Sequence, residues 1–133
     1  MLIQHHAIAG AIVAAVLYPV FGLTGAIIIF LAAFLVDIDH YFIFIYRKKD
    51  FSLKRGYYFF RQAHDGSSFY PIFHMVEVVV IFAFLSNYFA ILVPFVIGEV
   101  LHIAVDWFED MFLHRTNRNF FAAGFLFDVL LKK

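Results

Sequence analysis

From Ala7 to Val36 the chain carries no charged residue over thirty consecutive positions. As one straight helix that run would be about 45 Å long, against a bilayer hydrocarbon core of about 30 Å. It is too long for one crossing and short for two. The segment Tyr18-Pro19-Val20-Phe21-Gly22-Leu23-Thr24-Gly25 interrupts it. Pro19 removes a backbone donor and disfavours helix at Tyr18, the glycines permit a turn, and Thr24 is a capping residue. The pattern predicts a helical hairpin, with a first arm over about 4–18 and a second over about 24–46 that continues through Asp37–His40. The chain is 64% hydrophobic with 20 Phe, well above the roughly 45–50% of a soluble domain, which places it among integral membrane proteins. The expectation is one membrane domain over 1–133.

Further breakers divide the remainder. A polar loop is predicted over 47–70, holding Arg47, Lys48, Lys49, Lys54, Arg55 and Arg61. Pro71 suits the first turn of a third helix over 71–85, Ser86-Asn87-Tyr88 reads as a tight turn, and a fourth helix is predicted over 89–113. The tail, 114–133, has an apolar patch bracketed by charges and too short to span, which reads as an interfacial helix. The fold class expected is therefore all-α, a four-helix membrane bundle of two hairpins. Met1 to Gln4 lacks the basic n-region of a cleavable signal, so the first helix is expected to be retained. All ten Lys and Arg lie in the 47–61 loop or beyond residue 114. The positive-inside bias then places that loop and both termini in the cytoplasm.

Polar groups inside such segments are costly, and normally face one another, a metal or water. The hairpins return His6 and Asp37–His40 to the same side, and they set His74 and His102 at similar depth from the Ser86–Tyr88 turn. Glu99, His102 and Asp106 are spaced three and four apart, on one helical face, as are His74 and Glu77. Asp37 and His40 share a face, while Asp39 points away unless the chain bends there. Imidazole with carboxylate is the donor set of zinc, manganese or iron sites, and Cys is absent, so the expected cofactor is one or two divalent ions, Zn²⁺ or Mn²⁺. The blander readings are that Asp37, Asp39 and His40 cap a helix end, that Glu77 and Glu99 are neutral buried acids, and that His5 faces headgroups. Glu109 and Asp110 follow Trp107-Phe108 at the presumed surface and are expected to be solvated. His64, Asp65 and His114 lie among polar neighbours and read as surface groups.

His6 with Gly10, Asp37-Ile38-Asp39-His40, His74, and Gly98-x-x-x-His102-x-x-x-Asp106 together resemble the small inner-membrane proteins described as membrane-bound metal-dependent hydrolases, a group with LexA-regulated members. The resemblance covers residues 6 to about 110. It implies a prokaryotic plasma-membrane location and metal ligands at His6, Asp37, Asp39, His40, His74, His102 and Asp106. It implies, more distantly, a likeness to zinc-dependent phospholipase C and P1-nuclease bundles, which cleave phosphoesters. This chain departs from the family where His-Arg-Gly-x-Thr-His-Ser commonly enters the third helix: here Phe69-Tyr70-Pro71-Ile72-Phe73-His74-Met75 retains only the last histidine.

The function expected is a membrane-embedded metal-dependent hydrolase. His6, Asp39, His40, His74, His102 and Asp106 would hold metal, and Asp37, Glu77 or Glu99 would take a proton from water. A site near the cytoplasmic surface implies a lipid or lipid-linked phosphate substrate, its headgroup attracted by the 47–61 cations. No nucleic-acid partner is expected. A transporter or ion channel would need a polar file reaching the far side, yet 7–18 and 78–85 hold no ionisable group except Tyr18. A haem carrier would use His74 and His102 but not the carboxylates. A non-catalytic metal-binding scaffold is the remaining alternative.

Overall fold

The computed structural model describes residues 3–62, 72–109 and 112, and among these it is all-helical. The first element, α1 (Ile3–Leu35), is broken at Gly22, whose φ of 64° and ψ of −171° lie outside helical space. That backbone region is open essentially to glycine alone. The arms on either side fold against each other: a Cβ added to Gly10 would sit 2.9 Å from the Cβ of Ala33, two positions that a straight helix would hold about 34 Å apart. The expected hairpin is thus present, with its bend at Gly22, inside the expected interruption over 18–25, and the first arm runs on past residue 18. Pro19 lies inside the first arm. Helices in apolar surroundings tolerate proline where neighbouring groups satisfy the freed carbonyl.

The second arm stops at Leu35. A turn at Val36–Asp37, closed by His40 N–H to the Asp37 carbonyl at 3.1 Å, leads into α2 (Ile38–Lys48). This corrects the expectation of an unbroken helix over 24–46. It also supplies the bend that lets Asp37, Asp39 and His40 act on one side.

Lys49 ends α2 in the left-handed region, with φ 53°. Asp50 accepts the Ser52 N–H at 2.9 Å, and Ser52 Oγ accepts the Arg55 N–H at 3.4 Å, which caps α3 (Leu53–Gln62). The expected loop over 47–70 therefore contains a helix. Arg55 holds Asp50 through both its Nε and its Nη2, the latter at 2.8 Å. This pairing keeps the half-buried Asp50 carboxyl below its ordinary pKa. α3 lies against α2, where Gly56 meets Tyr41 and Phe44 and Tyr41 OH donates to the Phe51 carbonyl at 2.7 Å.

His74 closes a short 3₁₀ turn, Ile72–His74. Met75 is extended, and α4 (Val76–Leu85) begins after it, so the helix expected over 71–85 starts later and leaves His74 outside it. Ser86–Tyr88 turns as expected. Ser86 Oγ donates to the Ala83 carbonyl at 2.7 Å and Asn87 Nδ2 to that of Phe84 at 2.9 Å, satisfying carbonyls that the end of α4 leaves open. The last described α-helix, α5 (Leu92–Phe108), starts later than the expected 89–113 and carries Pro94 in its first turn, where a missing N–H costs nothing. α4 and α5 run antiparallel, with the rings of Phe82 and Phe95 4.9 Å apart.

α5 also lies along α1 at close range. A Cβ on Gly98 would fall 2.5 Å from the Ile29 carbonyl oxygen and 2.6 Å from the Ala32 Cβ. Only a residue without a side chain permits that approach. The interior is made of small or branched residues, Ala14, Ile29, Ala32, Ala33, Val36 and Phe44, together with His6, Asp39, Glu99, His102, Asp106 and Glu109. By length and composition, among the described residues only Ile3–Lys48 is apolar enough to cross a membrane, and Val76–Leu85 is apolar but shorter. The tail over 114–133, Pro71, His64, Asp65, Asp110 and His114 lie outside the described residues.

Candidate metal centre

Three elements of structure bring the polar residues together. The hairpin in α1 sets Gly10 against Ala33 and so returns His6, one turn before Gly10, to Asp37. The 36–37 turn presents Asp37, Asp39 and His40, and the close approach at Gly98 presses the next turn of α5, with His102, onto the same place. The ring of His102 stacks on that of His6, with centroids 4.1 Å apart, and lies edge to face with that of His74 at 4.9 Å. The expectation that His74 and His102 share a depth holds closely: their Nε2 atoms are 3.0 Å apart.

Hydrogen bonds at the rim fix which atoms face inward. His102 Nδ1 is 2.9 Å from the Ala33 carbonyl oxygen. A carbonyl only accepts, so Nδ1 carries the proton, and a neutral His102 holds its lone pair on Nε2. His40 Nδ1–H donates to Asp39 Oδ1 at 2.7 Å, and Asp39 Oδ2 accepts the Phe73 N–H at 3.0 Å. Asp39 thereby ties α2 to the turn that carries His74. It orients imidazoles in the way that outer carboxylates orient metal-binding histidines.

The inward atoms form overlapping groups. Asp37 Oδ1 lies 3.4 Å from Nε2 of both His74 and His102. Asp106 Oδ2 lies 3.5 Å from the same two nitrogens. Tetrahedral coordination with bonds of about 2.0–2.2 Å places its donors about 3.3–3.6 Å apart, which matches these separations. Three triads have donor atoms within 4.8 Å of one another: His6–Asp37–His102, Asp37–His40–His74 and His74–His102–Asp106.

Several of these atoms are not satisfied by hydrogen bonds. His6 Nε2 is 2.9 Å from Asp106 Oδ1, yet neither atom makes a hydrogen bond, and His74 Nδ1 is likewise buried without one. Atoms brought this close but aimed past each other converge on shared space, and leaving them so costs about 1–3 kcal/mol each. A divalent cation would satisfy them together, so these buried His/Asp groups have the donors and spacing to hold a metal ion.

Of the expected site residues, the structure brings together His6, Asp37, His40, His74, His102 and Asp106. Asp39 belongs to none of the triads and touches His40, the Phe73 N–H and, at 3.5 Å, His74 Nδ1. Glu99 lies one turn of α5 from His102 and Glu77 lies in the first turn of α4, both outside the triads. Glu99 is fully buried, and neither of its oxygens has a hydrogen-bond partner.

Glu109 departs from expectation. It is buried rather than solvated, and it is paired with Nδ1 of His5. Its spacing of seven from His102 and three from Asp106 puts it on the inward face of the helix, a signal present in the sequence. No protein-family model, curated protein or solved structure matches this chain.

Proposed function

We propose that this chain is a membrane-embedded, metal-dependent hydrolase of lipid-linked or other phosphoesters, in keeping with the resemblance of its His and Asp pattern to membrane-bound hydrolases. The observation that carries the reading is the set of three overlapping His/Asp triads on a frame whose other buried side chains are mostly apolar.

Membrane placement is supported by the inverted distribution of residues. The interior holds His6, Glu99, His102 and Asp106, while Ile8, Ile12, Val16, Val20, Ile27, Val80 and Phe84 face outward. An outer surface this apolar matches lipid better than water. The two arms of α1 with α4 and α5 would cross as two hairpins. The Gly22 and Ser86–Tyr88 bends share one end, because α5 runs from His102 at Ala33 to Gly98 at Ile29. The cations of α2 and α3 lie beyond the opposite end of α1, and the positive-inside bias makes that end cytoplasmic. Phosphate-bearing headgroups would approach there.

A bound divalent cation supplies charge to polarise the ester and to acidify a water. His6, His40, His74, His102, Asp37 and Asp106 would hold it. Asp39 and the Ala33 carbonyl orient His40 and His102. Asp37, placed in two triads, is a ligand rather than the proton acceptor. Glu99, one turn from His102 and with both oxygens uncommitted, is the group assigned to take the proton, directly or through one water. Beyond Glu99 a polar file of the kind a transporter needs is not continued toward the bends, where the buried described residues are Ala14, Gly25, Ile29 and Pro94.

The test is hydrolysis of a panel of phospholipids and soluble phosphoesters by the detergent-purified protein. Activity that chelation abolishes and Zn²⁺ or Mn²⁺ restores is expected. Activity indifferent to chelation, or absent from metal-loaded protein on every phosphoester, would overturn the reading.

A further inference from the structure

The outward apolar side of α1 does not stop where α1 stops. Ile27, Leu31, Leu35, Ile38, Phe42 and Tyr46 are all exposed, and their spacing of four, four, three, four and four keeps them on one side of a helix. Asp37, in the turn between the helices, stays in the right-handed region with φ −61° and ψ −6°, so the stripe passes from α1 into α2. The other side of α2 is taken by α3: Gly56 meets Tyr41 and Phe44, and the rings of Phe44 and Phe59 are 5.6 Å apart. Where the two helices join, the character changes. Residues 47–61 hold six cations and one acid, Asp50, both of whose oxygens are held by Arg55. Lys48 Nζ lies 5.1 Å from the centroid of the Phe59 ring and Lys49 Nζ 4.7 Å from that of Tyr46. In the turn itself, Phe51 and Leu53 stand 76% and 72% exposed.

We propose that α2 and α3 form an interfacial hairpin seated on an anionic bilayer, with Ile38, Phe42, Tyr46, Phe51 and Leu53 against acyl chains and Lys48, Lys49 and Lys54 on lipid phosphates. The proposal rests on the membrane placement above and not on the metal, and the lipids it engages are a docking surface rather than a substrate. An apolar stripe beside a cluster of cations is the composition of a helix that lies in the headgroup layer, and aromatic bodies topped by lysine ammonium groups are suited to that depth. The charge also selects the occupant. A hairpin with this excess of cations repels a second copy of itself, whereas each lysine near an anionic surface strengthens attachment roughly fivefold.

The chain has no cysteine, so single nitroxide labels report without background. Phe42→Cys and Phe51→Cys are introduced into the whole chain, with Ile12→Cys on the outward face of α1 as the membrane control. Each is labelled and reconstituted in vesicles of phosphatidylcholine alone or with phosphatidylglycerol, and its collisions with oxygen, which enters lipid, and with a water-soluble nickel chelate are read by electron paramagnetic resonance. In phosphatidylglycerol vesicles the labels at 42 and 51 should favour oxygen as the label at 12 does. Label 51 should move toward the nickel chelate in phosphatidylcholine alone, and Lys48→Gln/Lys54→Gln should abolish its response to phosphatidylglycerol. Labels at 42 and 51 open to nickel in both vesicles, with label 12 in lipid, overturn the hairpin and leave the membrane placement standing. Labels shielded from both probes mean that protein covers this face, which also overturns it. A label at 12 open to nickel overturns the membrane placement itself.

Discussion

The Nδ1–H of His102 donates to the Ala33 carbonyl at 2.9 Å, and this bond joins the two halves of the molecule at the point where the chemistry is assembled. It fixes the tautomer of His102, so that Nε2 faces His74, Asp37 and Asp106. It exists only because Gly98, one turn earlier, lets α5 rest on the backbone of α1.

Gly98→Leu should therefore weaken both the fold and the site. The first added carbon would already be 2.5 Å from a backbone oxygen, which cannot rotate away as a side-chain end can. Overpacking of this kind costs about 1–3 kcal/mol. Thermal unfolding in detergent should show the loss, and metal affinity should fall with it although no ligand has changed.

Gly22→Ala tests the bend alone. Open space surrounds the Gly22 Cα, so a methyl group meets nothing, and the penalty is the backbone strain of about 1–3 kcal/mol that a residue other than glycine has at this φ and ψ. Denaturation midpoints should show this loss, whereas Pro19→Ala should be neutral or stabilising.

Asp39→Asn separates orientation from ligation. Asp39 holds His40 and the Phe73 N–H, and loss of such an outer carboxylate lowers metal affinity by about 10–100-fold. Titration with Zn²⁺ or Mn²⁺ should show that drop with the number of ions unchanged. A lost ion would instead make Asp39 a ligand.

Acidification should release the metal. Imidazole ligates only when neutral, so protons compete with the ion for its histidine ligands. Bound metal followed from pH 8 downward should be fully retained at the alkaline end and fall as the solution is acidified. Retention unchanged to pH 4 would argue against histidine ligation.

Much of this arrangement is written in the order of residues. The charge-free run and its internal Pro and Gly define a hairpin. Two hairpins are enough to bring His6, Asp37, His74, His102 and Asp106 to one level, as the contacts among them show. Within the expected interruption over 18–25 the residue that turns the chain is less legible, because proline is the stronger breaker in water, whereas here a positive φ at Gly22 makes the turn. α3 was hidden by its cations and aromatic run, and its signal is the capping Ser52. Asp39 and Glu109 could not be assigned from spacing alone: the role of one depends on the bend at 36–37, and that of the other on His5 from the far end of the chain.

The central claim is that the His/Asp cluster binds a divalent cation, and the most direct measurement is the metal content of the untagged, detergent-purified chain beside a His102→Ala/Asp106→Ala variant that keeps its helical circular dichroism. At least one equivalent of Zn²⁺ or Mn²⁺ per wild-type chain, falling to background in the variant, is the predicted result. A wild-type chain that holds and takes up none, or a variant that keeps the full wild-type amount, would contradict it.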